Sequence, residues 1–355
     1  MLQAPLQNLD FIDLALRYLS VFLDVVLQKW RMRRLPDLKL IGQRPEEGTT
    51  VVITGPTSGI GTETAAEFAR RGCRVILACR SPERGADLKE RIEAEAKICG
   101  TSRPLVEVMQ LDLASLDSVR AFCDRWEKSQ RPLHILVNNA GVFAMGAPRS
   151  TTRDGQELHL GTNYLAAFLL TMRLLPSLRK GGEELRGSGR EARVVMVSSK
   201  LHEIGTIHTA DPQLSRSYSS AAAYGQSKLA QVMFVAELRR RIPEGWNVGC
   251  YSVHPGNVMT EVVRTLPRVV QRGYRLVMRT FLLTWAQGAR ATLFAATDSA
   301  AKLAGEATHG YFDSDCSAKK PSSFATDEAV ARWLWRFSCD MVDLPEQYSL
   351  PKREG

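Results

Sequence analysis

Tyr224 and Lys228 stand four residues apart in the run 221–240, which reads as one long helix. That spacing puts both side chains on one face, a single turn apart. A phenol ordinarily titrates at about 10. An ammonium one turn away favours the phenolate, and a lowered pKa suits proton transfer to or from an oxygen. Ser199 follows the β-branched run 194–197, and its hydroxyl can hold the same oxygen by a hydrogen bond. Asn163, in the predicted helix 162–178, can back this group and tether a relay water. A Tyr–Lys pair at this spacing is common on solvated helices. Its weight comes from its position after a Ser-ending strand and downstream of the unit described next.

That unit is Thr49–Thr54, a short β-branched strand, followed at once by Gly55-Pro56-Thr57-Ser58-Gly59-Ile60-Gly61. An amphipathic helix at 62–71 and a second strand at 74–78 complete a βαβ pattern, the context in which a glycine motif carries weight. Gly55 lets the chain turn off the strand, Gly59 lets backbone approach a pyrophosphate, and Gly61 permits close helix–sheet packing. The helix N-terminus then offers free N–H groups to the phosphates. At the end of the second strand, an acid would bind a ribose 2′-hydroxyl. Here Cys79 and Arg80 stand instead, with no acid before Glu83. Arg80 suits a 2′-phosphate, so NADP(H) is the expected cofactor.

Further strands are expected at 106–110, 133–137, 194–197 and 248–253, with a last one around Tyr311-Phe312-Asp313. Asp112-Leu113 after the third is read as a ribose or adenine rim; for Asp112 a helix-capping role is the competing reading, since Ser115 and Ser118 follow. Asn138-Asn139-Ala140-Gly141 after the fourth can hold a cofactor closely and cross-link neighbouring strands. Pro176 falls near the end of the helix at 162–178, and 181–193 reads as a polar, Gly-rich surface loop. Strands alternating with helices predict an α/β fold: a doubly wound, Rossmann-type parallel sheet of about seven strands with helices on both faces. The organisation read from the 355 residues is an N-terminal helix and connector at 1–47, a catalytic domain at 48–320 and a C-terminal helix and tail at 321–355.

The formal net charge of +9 raises nucleic acid or an anionic membrane as partners. No zinc-finger spacing or basic-aromatic module is present, which argues against nucleic acid. The seven cysteines form no CxxC pair and read as reduced thiols; no Cys/His/Asp cluster has ligand spacing, so no metal is expected. Residues 9–30, LDFIDLALRYLSVFLDVVLQKW, confine their polar positions to an arc of roughly 80°. Lys29, Arg31, Arg33 and Arg34 cluster at its end. The charges make a membrane span awkward, and an interfacial helix suits the pattern better. Residues 9–34 are therefore read as touching a membrane or lipid surface, and deletion of 1–35 is expected to release the protein without loss of cofactor binding.

The sequence resembles the short-chain dehydrogenase/reductase superfamily over roughly residues 48–312. The motifs are TGPTSGIG at 54–61, DL at 112–113, NNAG at 138–141, Asn163 in TNYLAAFLLT, VSS at 197–199, YGQSK at 224–228 and HPGNVMT at 254–260. TRDGQELHLGTNYLAAFLLT and YGQSKLA are most similar to the membrane-associated, retinol-dehydrogenase-like group. The resemblance implies that Tyr224 is the catalytic acid/base, Lys228 its pKa-lowering and ribose-binding partner, Ser199 the stabiliser of the reacting oxygen and Asn163 the relay residue. It implies that Pro255, Gly256, Val258 and Thr260 border the nicotinamide. Pro56 departs from the family's small or polar residue and deletes one N–H. Residues 202–223 are read as an insertion forming a rim of the pocket.

Residues 261–285 carry Arg264, Arg268, Arg272, Arg275 and Arg279 among apolar side chains, and are read as a substrate lid with a second contact to lipid. The expected substrate is a long apolar alcohol, aldehyde or ketone (isoprenoid, retinoid or fatty). The expected location is a membrane facing the cytosol, either endoplasmic reticulum or lipid droplet. A homo-oligomer is compatible with this reading. Two alternatives stand beside it: a small-carbonyl or steroid reductase, and a catalytically vestigial nucleotide-binding scaffold at a membrane. Intact Ser199, Tyr224 and Lys228 argue against the scaffold.

Overall fold

The computed structural model describes residues 11–33, 35–45, 48–100, 103–258 and 280–350. Thr260 and residues 261–279 of the expected lid lie outside them. Seven parallel strands form one sheet: β1 (Thr50–Thr54), β2 (Arg74–Cys79), β3 (Leu105–Gln110), β4 (Ile135–Asn138), β5 (Ala192–Val197), β6 (Val248–Val253) and β7 (Tyr311–Phe312). Their order is β3-β2-β1-β4-β5-β6-β7, so the direction of winding reverses between β1 and β4. That reversal opens a crevice beyond the carboxyl ends of the strands, where ligands bind in such sheets. Strands covered on both faces need no polar alternation, and β1 and β5 are buried throughout.

Helices α2 (Ile60–Arg70), α3 (Pro82–Ile98) and, beyond β6, α7 (Trp285–Thr297) cover one face. Helices α4 (Leu116–Lys128), α5 (Ala166–Glu184) and α6 (Ser220–Arg241) cover the other. The small residues Ala65, Ala66 and Ala69 let α2 lie close to the sheet. Helix α8 (Ser299–Ala307) precedes β7, and α9 (Glu328–Met341) follows it. Trp335 of α9 packs edge-on against Phe168, 5.5 Å between centroids, in the core beside α6.

Two local expectations change. Helix α5 runs through Glu184 with Pro176 inside it, so the predicted loop at 181–193 is helical at its start. Gly181 and Gly182 serve close approach there: a Cβ on Gly181 would stand 2.1 Å from the Leu133 carbonyl oxygen. Upstream, Leu160–Leu165 forms a π-helical turn that places Asn163. Such single wide turns recur at functional sites.

Helix α1 (Phe11–Met32) is amphipathic as expected, with the orientation opposite to that of an ordinary surface helix of a folded domain. The polar stripe faces the protein. Asp24 and Gln28 are buried, and the Arg17 guanidinium donates to the Glu203 carbonyl at 3.0 Å and lies over the Phe324 ring. The apolar side faces outward: Tyr18 is 57% exposed, Phe22 64% and Trp30 60%, with Leu19, Leu23, Val26 and Leu27 between them. Polar groups turned inward are tolerable only when partnered, and these are. The expectation that residues 1–35 are cleanly removable is therefore corrected. Deletion would strip partners from His254 and Asn257 and uncover Val258 and Leu283, which pack with Met32. Each buried polar group so orphaned costs roughly 1–3 kcal/mol.

Candidate active site

The carboxyl edge of the sheet gathers the expected residues. Gly55 leaves β1 with its N–H on the Ala78 carbonyl of β2, 3.1 Å away. Gly59 caps α2 at φ +61°, and the space where its Cβ would stand is open, which leaves room for a ligand against backbone. A Cβ on Gly61 would meet the Gly55 carbonyl oxygen at 2.4 Å, so only glycine fits beneath the turn. Pro56 costs an N–H, but its carbonyl accepts the Thr62 hydroxyl at 2.8 Å and remains part of the turn. Thr57 is held from outside by the Arg84 guanidinium, which donates to its carbonyl at 3.1 Å. Ser58 and Ile60 complete this loop and the first turn of α2. Arg80 is exposed just past β2, and Arg84 lies near it on the first turn of α3. These residues fit a dinucleotide pyrophosphate with an anionic group beyond its ribose.

Asp112 follows β3. Its carboxylate accepts the Ala114 N–H at 3.1 Å, while Ser115 caps α4, so capping is Ser115's work. Leu113 is buried beside it. Asn139 cross-links β4 to β1, donating from its side-chain amide to the Thr54 and Gly55 carbonyls at 3.0 and 3.1 Å. Ala140 donates its N–H to the Thr54 hydroxyl. Gly141 borders Lys228: a Cβ there would stand 3.3 Å from Nζ. After β6, Pro255 and Gly256 are buried, and Val258 bridges to Leu283.

Asn163, Ser199, Tyr224 and Lys228 converge. Ser219 caps α6, which sets Tyr224 in its opening turns. Ser198 ties β5 to α6 by donating to the Lys228 carbonyl at 2.9 Å. Ser199 caps a short 3-10 helix at Lys200–Glu203. Burial raises the Tyr224 phenol to about 12, against the lowering effect of a hydrogen bond with the Ser199 side chain. The phenol was expected to be lowered by Lys228, and the reason it is not lies with that lysine. Burial brings Lys228 down to about 7, and its Nζ is spent on the Val197 carbonyl at 3.0 Å and Gln231 Oε1 at 3.1 Å. Without a ligand the ammonium is only partly charged near neutral pH and cannot offset the desolvation of the phenol. A protonated phenol is the form that donates a proton.

Sequence reading missed three side chains here. Phe143 stacks on Tyr224 at 4.3 Å between centroids. His159 stands edge-on to it at 6.2 Å, with Nδ1 on the buried Glu157 carboxylate and Nε2 accepting the Ala144 N–H. Gln231 joins the π-helical turn to the site: its side chain donates to the Asn163 carbonyl at 2.7 Å and accepts from Lys228. The Asn163 side chain meanwhile donates to the Ser227 hydroxyl and accepts the Val142 N–H. Phe143 lies two residues past NNAG, His159 lies inside TRDGQELHLGTNYLAAFLLT without having been read as part of the site, and Gln231 directly follows YGQSKLA.

Among the described residues, one group of metal-capable side chains comes together: Asp24, His254 and Asp313. They are already engaged. His254 Nδ1 accepts the Lys200 N–H, Nε2 faces Asp24 at 3.1 Å, and Asp313 pairs with Lys319. Burial would raise the Asp24 carboxyl, but the hydrogen bond and charge of His254 hold it below its ordinary value.

An acid seated beside a dinucleotide cradle at a sheet's switch point defines an NAD(P)-dependent oxidoreductase, and the chain is one. It belongs to the short chain dehydrogenase family, whose profile matches residues 49–270. It is 40% identical over 298 residues to human retinol dehydrogenase 11, covering 84% of this chain and 87% of that one. It is 34% identical over 350 residues to the Arabidopsis thaliana dehydrogenase/reductase SDR family member FEY, covering 96% and 90%. Among solved structures, an uncharacterized protein from Mycobacterium paratuberculosis superposes with a TM-score of 0.64 at 31% identity, covering 87% of this chain and 97% of that one. A Beutenbergia cavernae protein described as an NAD(P)-dependent gluconate 5-dehydrogenase, with bound NADP, superposes at 0.56 and 26% identity, covering 78% and 98%.

Proposed function

We propose that the protein uses NADP(H) to interconvert a long apolar alcohol and its aldehyde or ketone at a lipid surface. The observation that carries the chemistry is the Ser199–Tyr224–Lys228 set against Gly141, at the same sheet edge as the Gly55–Gly61 turn. The nucleotide, when bound, supplies or accepts the hydride. Tyr224 gives a proton to the substrate oxygen in reduction and takes one in oxidation. Ser199 holds that oxygen, Lys228 contacts the nicotinamide ribose, and Asn163 and Gln231 fix the lysine. The rim of Phe143 and the aromatic face of Tyr224 favour an apolar substrate. Retinol in the relatives' names supports the same class. Turnover of fatty, retinoid and isoprenoid aldehydes against small ketones and steroids tests this; preference for the short or steroid substrates would refute it.

NADP(H) over NAD(H) rests on Arg80, with Arg84 beside it. Arg80→Asp is expected to lower NADPH affinity about tenfold and relatively improve NADH, read by fluorescence titration. An unchanged ratio would remove Arg80 from this role.

The lipid reading rests on the outward face of α1 and on Lys29 and Arg33 at its end, while Arg31 turns inward to the buried Asp24 carboxylate at 3.0 Å. No described helix is long and apolar enough to cross a membrane. An interfacial seat on endoplasmic reticulum or lipid droplet fits that face, with residues 261–285, of which 261–279 lie outside the described residues, as a second contact. Phe22→Asp with Trp30→Asp is expected to cut flotation with anionic vesicles about tenfold or more, leaving NADPH affinity within twofold. Undiminished flotation would contradict the seat.

A further inference from the structure

Gln28 is fully buried although it belongs to the helix whose other side is bare. Its side-chain amide behaves like one more strand residue. Oε1 accepts the Asn257 N–H at 2.7 Å, and Nε2 donates to the Asn257 carbonyl at 3.1 Å and to the Phe281 carbonyl at 3.0 Å. The Asn257 carbonyl also accepts the Leu283 N–H at 3.0 Å. One turn earlier, Asp24 accepts from the Asn257 side chain at 3.0 Å and faces His254 at 3.1 Å. The inward stripe of α1 thus reaches 229 residues along the chain to grip the segment that leaves β6, and joins it to the segment that enters α7.

We propose that Gln28, supported by Asp24, is a positioning residue for the cofactor-bordering turn His254–Val258, so that the helix facing lipid also sets the nicotinamide side of the site. This rests on the reading of Pro255, Gly256 and Val258 as the nicotinamide border. Among the described residues, both N–H donors and the carbonyl oxygen of the Gln28 amide bond to backbone of other segments, which marks a strut and not surface decoration. A lipid anchor alone would need no buried amide.

The test uses the full chain. Gln28→Ala removes two hydrogen bonds to Asn257 of the turn and one to Phe281, and is expected to weaken NADPH binding about tenfold. Amide exchange at Asn257 and Leu283 should accelerate, while flotation with vesicles is retained. The unaltered protein gives a second measurement that no folding defect can obscure. Coupling is reciprocal, so NADPH should slow amide exchange across residues 24–28. Unchanged NADPH affinity in Gln28→Ala, or no protection of 24–28 by NADPH, would overturn the proposal. Persistence of these NADPH responses in a protein that reduces no long-chain carbonyl would support the strut and sink the substrate reading instead.

Discussion

Tyr224→Phe should lower kcat/KM by about 10²–10⁴-fold, the usual share of positioned acid–base catalysis, while NADPH affinity stays within a few-fold. The substitution removes one oxygen and keeps the ring, so the stack on Phe143 survives. The lost atom is the one that interacts with Ser199. The loss should fall on kcat more than on KM, because the proton is passed only in the reacting complex. Steady-state kinetics with an apolar aldehyde reads the outcome, and near wild-type turnover would assign the proton to another group.

Lys228→Met should also cost about 10²–10³-fold in kcat/KM, since the proton-transferring phenol loses its partner. A second signature separates it from Tyr224→Phe. The folded Lys228 titrates at about 7, below its ordinary 10.5, because it is desolvated. Below pH 7 the lysine is charged in both folded and unfolded chains, and the folded state carries the full penalty. Between 7 and 10.5 the unfolded chain binds more protons, so wild-type stability rises with pH. Methionine has no such dependence. The stability of wild type relative to Lys228→Met should therefore improve by on the order of 3 kcal/mol between pH 7 and 10. Denaturant melts of the ligand-free proteins across that range check it. A pH-independent difference would mean that the lysine is not held in an apolar place.

Much of the fold was legible because buried parallel strands and their glycine turns are local signals. The strand at 248–253 matches β6 residue for residue, and the others differ by one to two residues at their ends. The site was legible where motif and strand end coincide, as at Gly55–Gly61, Asn139 and Ser199. Long-range partnership was not. Amphipathicity says which side of α1 is apolar but not which side is inside; that was decided by His254 and Asn257, some 230 residues away. Gln231 was missed for the same reason, since its meaning comes from the Asn163 carbonyl, 68 residues away, to which it donates. The phenol's direction of shift was misjudged because spacing shows that a lysine is near and says nothing of its own desolvation.

The central claim is hydride transfer at this sheet edge with Tyr224 as the proton donor. It is tested most directly by offering the full-length protein, in lipid, NADPH deuterated at C4 together with a long-chain aldehyde. The account expects deuterium on the carbinol carbon of the alcohol formed, with the rate collapsing in Tyr224→Phe. Bound NADPH that yields no labelled alcohol from fatty, retinoid or isoprenoid aldehydes, or a label that arrives as fast without the Tyr224 hydroxyl, would contradict it.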